Sequence, residues 1–338
     1  MLHNSQARTL DAAHAGDQDA FDQLTRPYRR ELFVHCYRML GSVEDAEDTL
    51  QETLLRAWRR LSTLEERASL RAWLYKIATR AALDLIARRK ARILPGSLAP
   101  LTPGEPLPGP SPETVWVEPL PDALIDEHGA ANPEARYEVS ENVTLAFLVA
   151  LQALPGRQRA VLILRDVLAW SAEETAQILG MTSAAVNSAL QRAHAAIRQR
   201  QIEERPVFSA EDDRTRSLLA RYVRAWESAD TAALISLLRE DAALTMPPLP
   251  AWYRGRDAIR WFLDSVLFAP PMARPIRLYP IRANASPAFV VYQPDESGVF
   301  RPVALQVLTL IDHQIAAIDD FLSFDGSLFK RFDIPSSL

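Results

Sequence analysis

GSVEDAEDTLQETLLRAWRRL (residues 41–61) and RAWLYKIATRAALDLIARRK (residues 71–90) are neighbouring amphipathic segments of opposite charge. In the first segment, Leu50, Leu54, Trp58 and Leu61 recur at helical spacing. Its other side carries five acids: Glu44, Asp45, Glu47, Asp48 and Glu52. Residues 67–92 contain eight Lys or Arg residues and a single acid, Asp84. Helices of this kind predict two partners of opposite charge, a protein with a basic patch and a nucleic acid.

Start and stop signals around these segments predict a compact helical domain over residues 10–92. Asp17 is the expected N-cap of the helix before the acidic segment, and Gly41 is expected to end that helix. Ser42 is the expected cap of the acidic helix. The basic helix is predicted over residues 70–89.

Length and composition bound the class of protein. A chain of 338 residues with 48% hydrophobic and 24% charged residues can form two or three globular domains. No apolar run approaches a membrane span, and the N-terminus has no signal-peptide pattern. The single cysteine, Cys36, excludes an internal disulfide and a Cys-based zinc site, and it fits a reducing cytosol. The net charge of −5 hides a strong segregation of charge along the chain.

Residues 93–140 have a different character. They contain ten of the 24 prolines and eight acids against one base, Arg136. Such a composition disfavours regular helix and favours extended, polyproline-like segments. The stretch is therefore predicted to be an acidic linker, a solvated tether between two helical domains.

A helix-turn-helix pattern follows the linker, within a second helical domain over residues 141–205. Ser171 and Glu174 form a capping box at the start of SAEETAQILG, and Gly180 closes that helix. Thr182 or Ser183 is expected to cap the next helix. Two short helices joined by a tight glycine-containing turn are typical of a motif whose second helix enters the DNA major groove.

These motifs resemble two regions of a bacterial extracytoplasmic-function (ECF) sigma factor, the RNA polymerase subunit that finds and melts promoters. The acidic and basic segments are similar to region 2, and the helix-turn-helix is similar to region 4, which reads the −35 element. The resemblance implies two all-α domains and, as partners, promoter DNA and core polymerase through its β′ clamp helices and β flap. In this family the linker between the domains threads a basic cleft of the polymerase.

The resemblance also implies roles for individual residues. Region 2.2 would contact the clamp helices through Asp48, Gln51, Glu52 and Leu55. Regions 2.3 and 2.4 would contact −10 DNA through Arg71, Trp73, Lys76, Arg80, Arg88 and Arg89. A second interpretation of Trp73 is that it anchors the core. A second interpretation of the arginines at 88–92 is that they form a solvated helix end whose positive charge is favourable to the helix dipole. Arg80 stands where many family members have Asn, and an arginine side chain cannot accept a hydrogen bond. We therefore expect either that recognition of the −10 element differs in this protein or that Arg80 contacts a phosphate.

On the expected recognition helix, Val186, Leu190, Ala193 and Ile197 form the inward stripe. Ser183, Asn187, Ser188, Gln191 and Arg192 fall on the other faces and are the predicted −35 contacts. Asn and Gln can bond adenine bidentately, and Arg can bind guanine or phosphate.

Residues 208–338 form a third unit, in which helices precede alternating strands. A helical stretch is predicted up to about residue 244, then a proline-rich hinge at 246–255, a further helix and an antiparallel sheet. The order, with the patterns W-x(3)-D-x(2)-A-L and Y-R-G-R-x-A-I, is similar to the SnoaL-like branch of the NTF2 fold. The fold class is therefore multidomain, with two all-α sigma domains and an α+β NTF2/SnoaL-like cone.

The third unit carries no evident acid–base pair. Tyr222, Trp226, Trp252, Tyr253 and Trp261 are candidates for core positions or for lining a ligand pocket. Asp241, His313, Asp319 and Asp320 are the acid–base candidates, but fold alone does not carry catalysis. Neither catalysis nor a cofactor or metal is expected. In sigma factors the resemblance implies a fused regulator, and we expect residues 208–338 to pack on the two sigma domains.

The sequence thus predicts a cytoplasmic bacterial ECF sigma factor whose C-terminal domain modulates initiation, with a small-molecule ligand as a candidate partner and no membrane association. Two alternatives stay open. One is a ligand-responsive helix-turn-helix regulator that never contacts polymerase, and the other is an isomerase- or cyclase-type enzyme tethered to DNA-binding helices.

Overall fold

The structure is a computed structural model that describes residues 2–64, 69–111, 114–125, 143–198 and 212–338. Contacts divide the chain into two compact units, each made of two stretches of chain. The N-terminal unit is drawn from residues 1–92 and 123–202, and the C-terminal unit from residues 93–122 and 203–338. Within the described residues, no helix is long and apolar enough to cross a bilayer.

The described residues in the first half of the N-terminal unit include four α-helices. They are α1 (Leu2–His14), α2 (Gln18–Leu40), α3 (Val43–Arg59) and α4 (Leu70–Ile86). The side chain of Asp17 accepts hydrogen bonds from the first turn of α2, and Gly41 ends that helix in the left-handed conformation with φ 70°. Ser42 Oγ accepts from the N–H of Asp45 and so caps α3. The expected caps are confirmed, while α4 ends at Ile86, three residues earlier than predicted.

The described residues of the second half, 143–198, include four more α-helices. They are α5 (Leu145–Gln152), α6 (Gly156–Leu162), α7 (Ala172–Leu179) and α8 (Ser183–Arg198), and a π-helical turn (Ile163–Val167) extends α6. The capping box is present, because Ser171 and Glu174 each accept the other's backbone N–H, at 3.1 and 2.8 Å. Gly180 ends α7 with φ 65°. Thr182 is the residue that caps α8, since its hydroxyl accepts from the N–H of Ala185 at 3.2 Å.

Helix α2 carries two buried titratable side chains of neutral form, His35 and Cys36. His35 is fully buried, with Nε2 2.9 Å from Thr79 Oγ1, and burial lowers its pKa to about 3. Burial likewise raises the pKa of the Cys36 thiol to about 12. Both groups are therefore neutral at physiological pH, and Cys36 behaves as a small apolar core residue.

The C-terminal unit packs helices against one six-stranded sheet. Its helices are α9 (Asp213–Glu227), α10 (Thr231–Leu237) and α11 (Arg256–Phe262). Its strands are β1 (Leu238–Thr245), β2 (Trp252–Arg254), β3 (Arg277–Ala283), β4 (Ser286–Pro294), β5 (Phe300–Ile311) and β6 (Gln314–Leu322). The strand order is β2-β1-β6-β5-β4-β3. Tyr222 of α9 and Phe262 of α11 pack with Leu244, Phe289 and Leu308 of the sheet in one hydrophobic core.

The β5–β6 hairpin forms as the sequence predicts. Ile311 pairs with Gln314, so Asp312 and His313 are the two turn residues. Both have positive φ, 50° and 57°, which is the backbone of a type I′ turn and matches the twist of the strands it joins.

Two details of the predicted order are wrong. The stretch Leu238–Thr245 is strand β1 rather than the end of a helix, so Asp241 lies on a strand. The sheet is also mixed, because β1 pairs with β6 in parallel while the other neighbours are antiparallel. Parallel pairing across some 70 residues of chain leaves no local sequence signal.

The described residues between 93 and 122 belong to the C-terminal unit, unlike the solvated tether expected from their composition. The backbone of Ile93 makes a short parallel bridge with Trp116, through hydrogen bonds to Val115 O and from the N–H of Val117. The Nε1 of Trp252 donates to Leu98 O at 3.0 Å, and the N–H of Leu101 donates to Trp252 O at 2.9 Å.

Residues 117–122 hold the β3–β4 turn through both backbone and side chains. Leu120 and Asn284 bond each other, because the Leu120 N–H donates to Asn284 Oδ1 and the Asn284 N–H donates to Leu120 O, both at 2.8 Å. Asp122 accepts from the Ala285 N–H at 2.7 Å and forms an ion pair with Arg282 at 2.9 Å. We call the described residues between 93 and 122 the docked linker, since polar and apolar contacts both fix them to the C-terminal unit.

Candidate functional site

The exposed face of α3 carries the predicted polymerase contacts. Asp48, Gln51 and Leu55 are exposed and lie about one and two turns apart on one side of the helix. Leu55 leaves 51% of its surface in solvent. Glu52 is half-buried and forms an ion pair with Arg56 at 2.7 Å. The face is thus an exposed leucine flanked by acidic and amide side chains.

Asp45, by contrast, does not belong to the solvent face of α3. Its carboxylate is 7% exposed and binds Arg89 and, at 2.8 Å, Arg92. Arg89 was predicted to contact −10 DNA, and in the structure it connects the end of α4 to α3. Arg88 beside it is exposed.

Arg71, the first predicted −10 residue, is held on the protein surface by several contacts. Its guanidinium binds the carboxylate of Glu31 bidentately, at 2.8 and 3.0 Å. The same group lies 5.1 Å above the ring of Tyr75 and 5.3 Å from the ring of Trp170. Its pKa is raised above the ordinary arginine value, although burial acts against this, because Glu31 and Tyr75 favour the charged form.

Trp73, Lys76 and Arg80 line a cleft of about 1040 Å³ along one side of α4. Among the described residues that line it, the cleft carries five cations, Arg56, Arg60, Lys76, Arg80 and Arg157, and a single acid, Asp84. Asp84 is itself paired with Arg56 at 3.3 Å. Trp73 is half-buried at this surface, so its indole contributes both to packing and to the cleft wall. A cationic groove with an aromatic wall can bind a phosphate backbone and stack an unpaired base.

Helix α8 presents the predicted −35 residues to solvent. Asn187, Ser188, Gln191 and Arg192 are exposed, and Ser183 at the start of the helix is half-buried. The inward side forms as expected: Val186 and Ala193 are buried, and Leu190 and Ile197 are half-buried. Val186 and Ala189 pack on Val161 and Ala176, which fixes α8 against α6 and α7. The helix can therefore enter a major groove with its amide and guanidinium groups outward.

The five aromatic candidates of the C-terminal unit do not converge on one site. Tyr222 and Trp226 of α9 lie 6.0 Å apart in the core, and Tyr253 stacks on Phe262 at 4.9 Å with Trp261 6.1 Å away. Trp252 points to the docked linker instead, because neighbouring strand residues alternate between faces.

The acid–base candidates are likewise dispersed. Asp241 pairs with Arg239 at 3.0 Å, and His313 lies 3.5 Å from Asp212. Asp319 accepts from the hydroxyl of Thr245 at 2.8 Å. Asp320 differs from the others because burial raises its pKa to about 7, against the effect of a hydrogen bond from Gln306. Gln306 Oε1 accepts from the hydroxyl of Tyr222 at 2.7 Å.

Sequence reasoning missed two residues that organise the helical unit. Trp170, just before α7, packs its ring 5.3 Å from Tyr75 of α4. Arg159 of α6 is 3% exposed and donates to Met39 O at the end of α2. The segment ALPGRQRAVLIL carries both Arg157 and Arg159, and nothing local in it indicates which arginine is buried or what its distant partner is.

Comparisons with known proteins agree with this architecture. The family model for Sigma-70 region 2 matches residues 24–92, and the model for Sigma-70, region 4 matches residues 144–197. The ECF RNA polymerase sigma factor SigG of Mycobacterium tuberculosis (strain CDC 1551 / Oshkosh) is 41% identical over 327 residues, covering 94% of this chain and 85% of SigG. SigJ of M. tuberculosis (strain ATCC 25618 / H37Rv) is 26% identical over 317 residues, covering 90% of this chain and 93% of SigJ.

The crystal structure of M. tuberculosis SigJ has the same fold, with a TM-score of 0.60 at 22% identity over 91% of this chain and 97% of that chain. The similarity thus includes the α+β unit, whose helices on a single sheet have the NTF2/SnoaL-like arrangement. Because SigG is 41% identical over nearly the whole chain, the protein belongs to the ECF family of RNA polymerase sigma factors.

Proposed function

We propose that this sigma factor holds core RNA polymerase through the exposed face of α3 and promoter DNA through α4 and α8. The observation that carries the polymerase contact is Leu55, a leucine 51% exposed in the middle of a helix that otherwise packs its apolar residues inward. Exposed apolar residues flanked by charge are typical of a protein interface. Asp48 and Gln51 on the same side would meet a basic partner surface such as the β′ clamp helices.

Core binding by purified full-length variants tests this surface. Asp48→Lys and Leu55→Ala should each weaken binding about tenfold, or about 1.4 kcal/mol, because one reverses a charge and the other removes a central apolar contact. Glu296→Lys, at an exposed acid of the C-terminal unit, is the matched control and should bind like wild type. Equal affinity of all three variants would remove α3 from the interface.

The DNA-binding part of the proposal assigns the cationic cleft of α4 to the −10 element and the exposed face of α8 to the −35 element. It is supported by the five cations and Trp73 along the cleft, and by the outward Asn187, Gln191 and Arg192. Arg80 is exposed at this cleft, which suits a phosphate contact. Core polymerase and promoter DNA both place the working protein in the bacterial cytoplasm.

We further propose that the C-terminal domain modulates initiation by retaining the docked linker. In other sigma factors the segment between regions 2 and 4 follows a path through the polymerase, so a linker bound elsewhere restrains that path. The docked linker is held by hydrogen bonds to Asn284 and Trp252, and by ion pairs of Asp122 with Arg282 and of Glu118 with Arg331, at 2.9 and 3.1 Å.

Release of the linker is testable with the double variant Glu118→Ala/Asp122→Ala. Loss of two hydrogen-bonded ion pairs, at roughly 1 kcal/mol each, should shift the linker toward release and raise run-off transcription with core polymerase roughly threefold or more. Glu296→Ala is the control for loss of an acid. Transcription unchanged from wild type in the double variant would separate linker docking from regulation.

A further inference from the structure

Two of the arginines predicted to contact −10 DNA are held by carboxylates from other helices of the N-terminal unit. Arg71 of α4 binds Glu31 of α2, with its Nε 3.0 Å from both carboxylate oxygens and its Nη2 2.8 Å from one of them. Arg89, just after α4, binds one carboxylate oxygen of Asp45 in α3, and Arg92 binds the other at 2.8 Å. The positive charge of each predicted DNA contact is therefore offset by an acid within the protein.

These two arginines are nevertheless accessible to a partner. In the ion pairs, 38% of the Arg71 side-chain surface and 53% of the Arg89 side-chain surface remain in solvent. Burial therefore does not keep either guanidinium from DNA. On Arg71 the carboxylate of Glu31 takes an edge of the guanidinium, and that is the edge geometry with which arginine also binds phosphate. The acid and a DNA phosphate would compete for the same donors.

The other cations predicted at the −10 surface are in a different state. Within the described ranges, the side chains of Lys76, Arg80 and Arg88 form no ion pair. A cation of this kind releases counterions when it binds a DNA phosphate, and this release is what strengthens binding at low salt. An arginine that is already paired gains much less, because the phosphate must displace a carboxylate. The −10 surface thus contains two classes of cation that look alike in the sequence.

Stability alone does not account for the pair of Arg71 and Glu31. Ion pairs that are open to solvent contribute little to the free energy of unfolding, and here 38% of the arginine side chain and 31% of the glutamate side chain are exposed. The pair is nonetheless held in one orientation. The hydroxyl of Tyr75 lies 3.3 Å from the carboxylate, and the Tyr75 ring lies 5.1 Å from the guanidinium. DNA therefore meets a fixed, neutral pair at this point of the surface.

We propose that Glu31 and Asp45 are positioning residues for promoter binding. Each holds an arginine, Arg71 or Arg89, away from DNA phosphates and so limits the affinity for DNA of any sequence. The inference rests on the proposed −10 surface and removes these two arginines from its phosphate contacts. A sigma factor must find promoters among a large excess of other DNA, and each further phosphate contact strengthens binding to all sequences alike. Two internal acids thus keep sequence-independent binding weak.

The dependence of DNA affinity on salt tests the proposal, because its slope measures the number of phosphate contacts. Fluorescence anisotropy of the holoenzyme on a labelled, promoter-free duplex of about 30 base pairs gives this slope between about 50 and 200 mM salt. Glu31→Gln keeps the size of the side chain and removes its charge. It should steepen the slope of log affinity against log salt by about 0.9 and raise affinity roughly fivefold at about 0.1 M salt. Asp45→Asn should act in the same direction and covers the case in which the first variant fails to fold.

A double variant identifies the cation that is released. Glu31→Gln/Arg71→Gln should return the slope to that of wild type, because no freed arginine remains at this place. Loss of a merely structural brace would not be reversed by removing its second partner. Asp241→Asn is the matched control, since it releases Arg239 from a carboxylate 3.0 Å away in the C-terminal unit, and it should keep the wild-type slope.

Two outcomes would overturn the inference. An unchanged slope in both folded single variants would show that the acids do not keep the arginines from phosphate. A slope that stays steep in the double variant would show that Glu31 repels DNA directly and does not act through Arg71. The proposed −10 surface is tested separately by Arg80→Gln, which should flatten the slope by about 0.9. An unchanged slope there would count against that surface and leave the Glu31 comparison intact.

Discussion

At the scale of single residues, Asp320 shows how burial in a sheet changes the titration of an acid, which its sequence alone does not predict. It faces Gln306 directly across the β5–β6 pair, and the Gln306 side chain bonds both Asp320 and the hydroxyl of Tyr222. Asp320 Oδ1 is buried and has no hydrogen-bond partner among the described residues. Burial therefore raises the pKa of Asp320 to about 7, and the carboxyl is protonated below neutral pH.

Asp320→Asn should remove a pH-dependent loss of stability from the C-terminal unit. The pKa is higher in the folded state than the ordinary 3.8, so the unfolded state loses its proton first and stability falls as pH rises from about 4 to about 7. At pH 8 we expect the variant to be more stable than wild type by about 2 kcal/mol, after allowing for a buried amide.

Calorimetric unfolding at pH 5 and pH 8 measures this difference. Asp264→Asn, at an exposed acid of the same unit, should behave like wild type at both pH values. A variant at position 320 that keeps the full wild-type pH dependence would mean that another group carries it.

At the scale of elements, the sequence predicted the helices well because their boundaries are chemical and local. Asp17, Ser42, Ser171 and Gly180 cap or end helices through groups within a few residues of chain. Strand β1 was missed because its charged start interrupts the alternation, and its register with β6 shifts between Leu238 and Ala243. Contacts of Trp170 and Arg159 with α4 and α2 join residues far apart in sequence, where no local pattern can announce them.

The recognition helix carries its own prediction. Asn187→Ala and Arg192→Ala should each weaken holoenzyme binding to −35 DNA by about 1–3 kcal/mol, because each removes an exposed side chain able to bond a base or phosphate. If Arg192 binds phosphate, its variant should also reduce the slope of log affinity against log salt by about one.

Band-shift titrations at two salt concentrations distinguish base from phosphate contacts. Arg214→Ala, at an exposed arginine of the C-terminal unit, is the control for loss of one positive charge. Wild-type affinity and salt slope in both α8 variants would move the −35 contact to other residues.

At the scale of the whole molecule, the two units bury titratable groups of opposite kind. The N-terminal unit holds neutral His35, whose pKa burial lowers to about 3, and the C-terminal unit holds Asp320, whose pKa burial raises to about 7. A histidine with a lowered pKa costs stability as pH falls from about 6.5 to about 3, because the unfolded state binds the proton first. The N-terminal unit should therefore gain stability with rising pH over the range in which the C-terminal unit loses it.

The midpoint temperatures of the two calorimetric transitions should move in opposite directions between pH 4 and pH 7. The buried group of each unit should change its free energy of unfolding by at most about 4 kcal/mol. His35→Gln should flatten the pH dependence of the N-terminal transition alone, and Asp320→Asn that of the other. Transitions that shift together in both variants would argue that a different set of groups governs the pH response.

The docked linker has a practical consequence for dissecting this protein by truncation. Leu101 and Leu107 pack against the hydrophobic core of the α+β domain, and Leu120 is bound to its β3–β4 turn. A gene cut before residue 208 would encode a chain that keeps these leucines but lacks the surface they cover. Such a fragment would expose these apolar side chains to solvent and would tend to aggregate. A fall in its activity would then reflect low solubility as readily as the loss of regulation by the C-terminal domain. Point substitutions at Glu118 and Asp122 of the docked linker avoid this problem, because they leave the C-terminal domain in place.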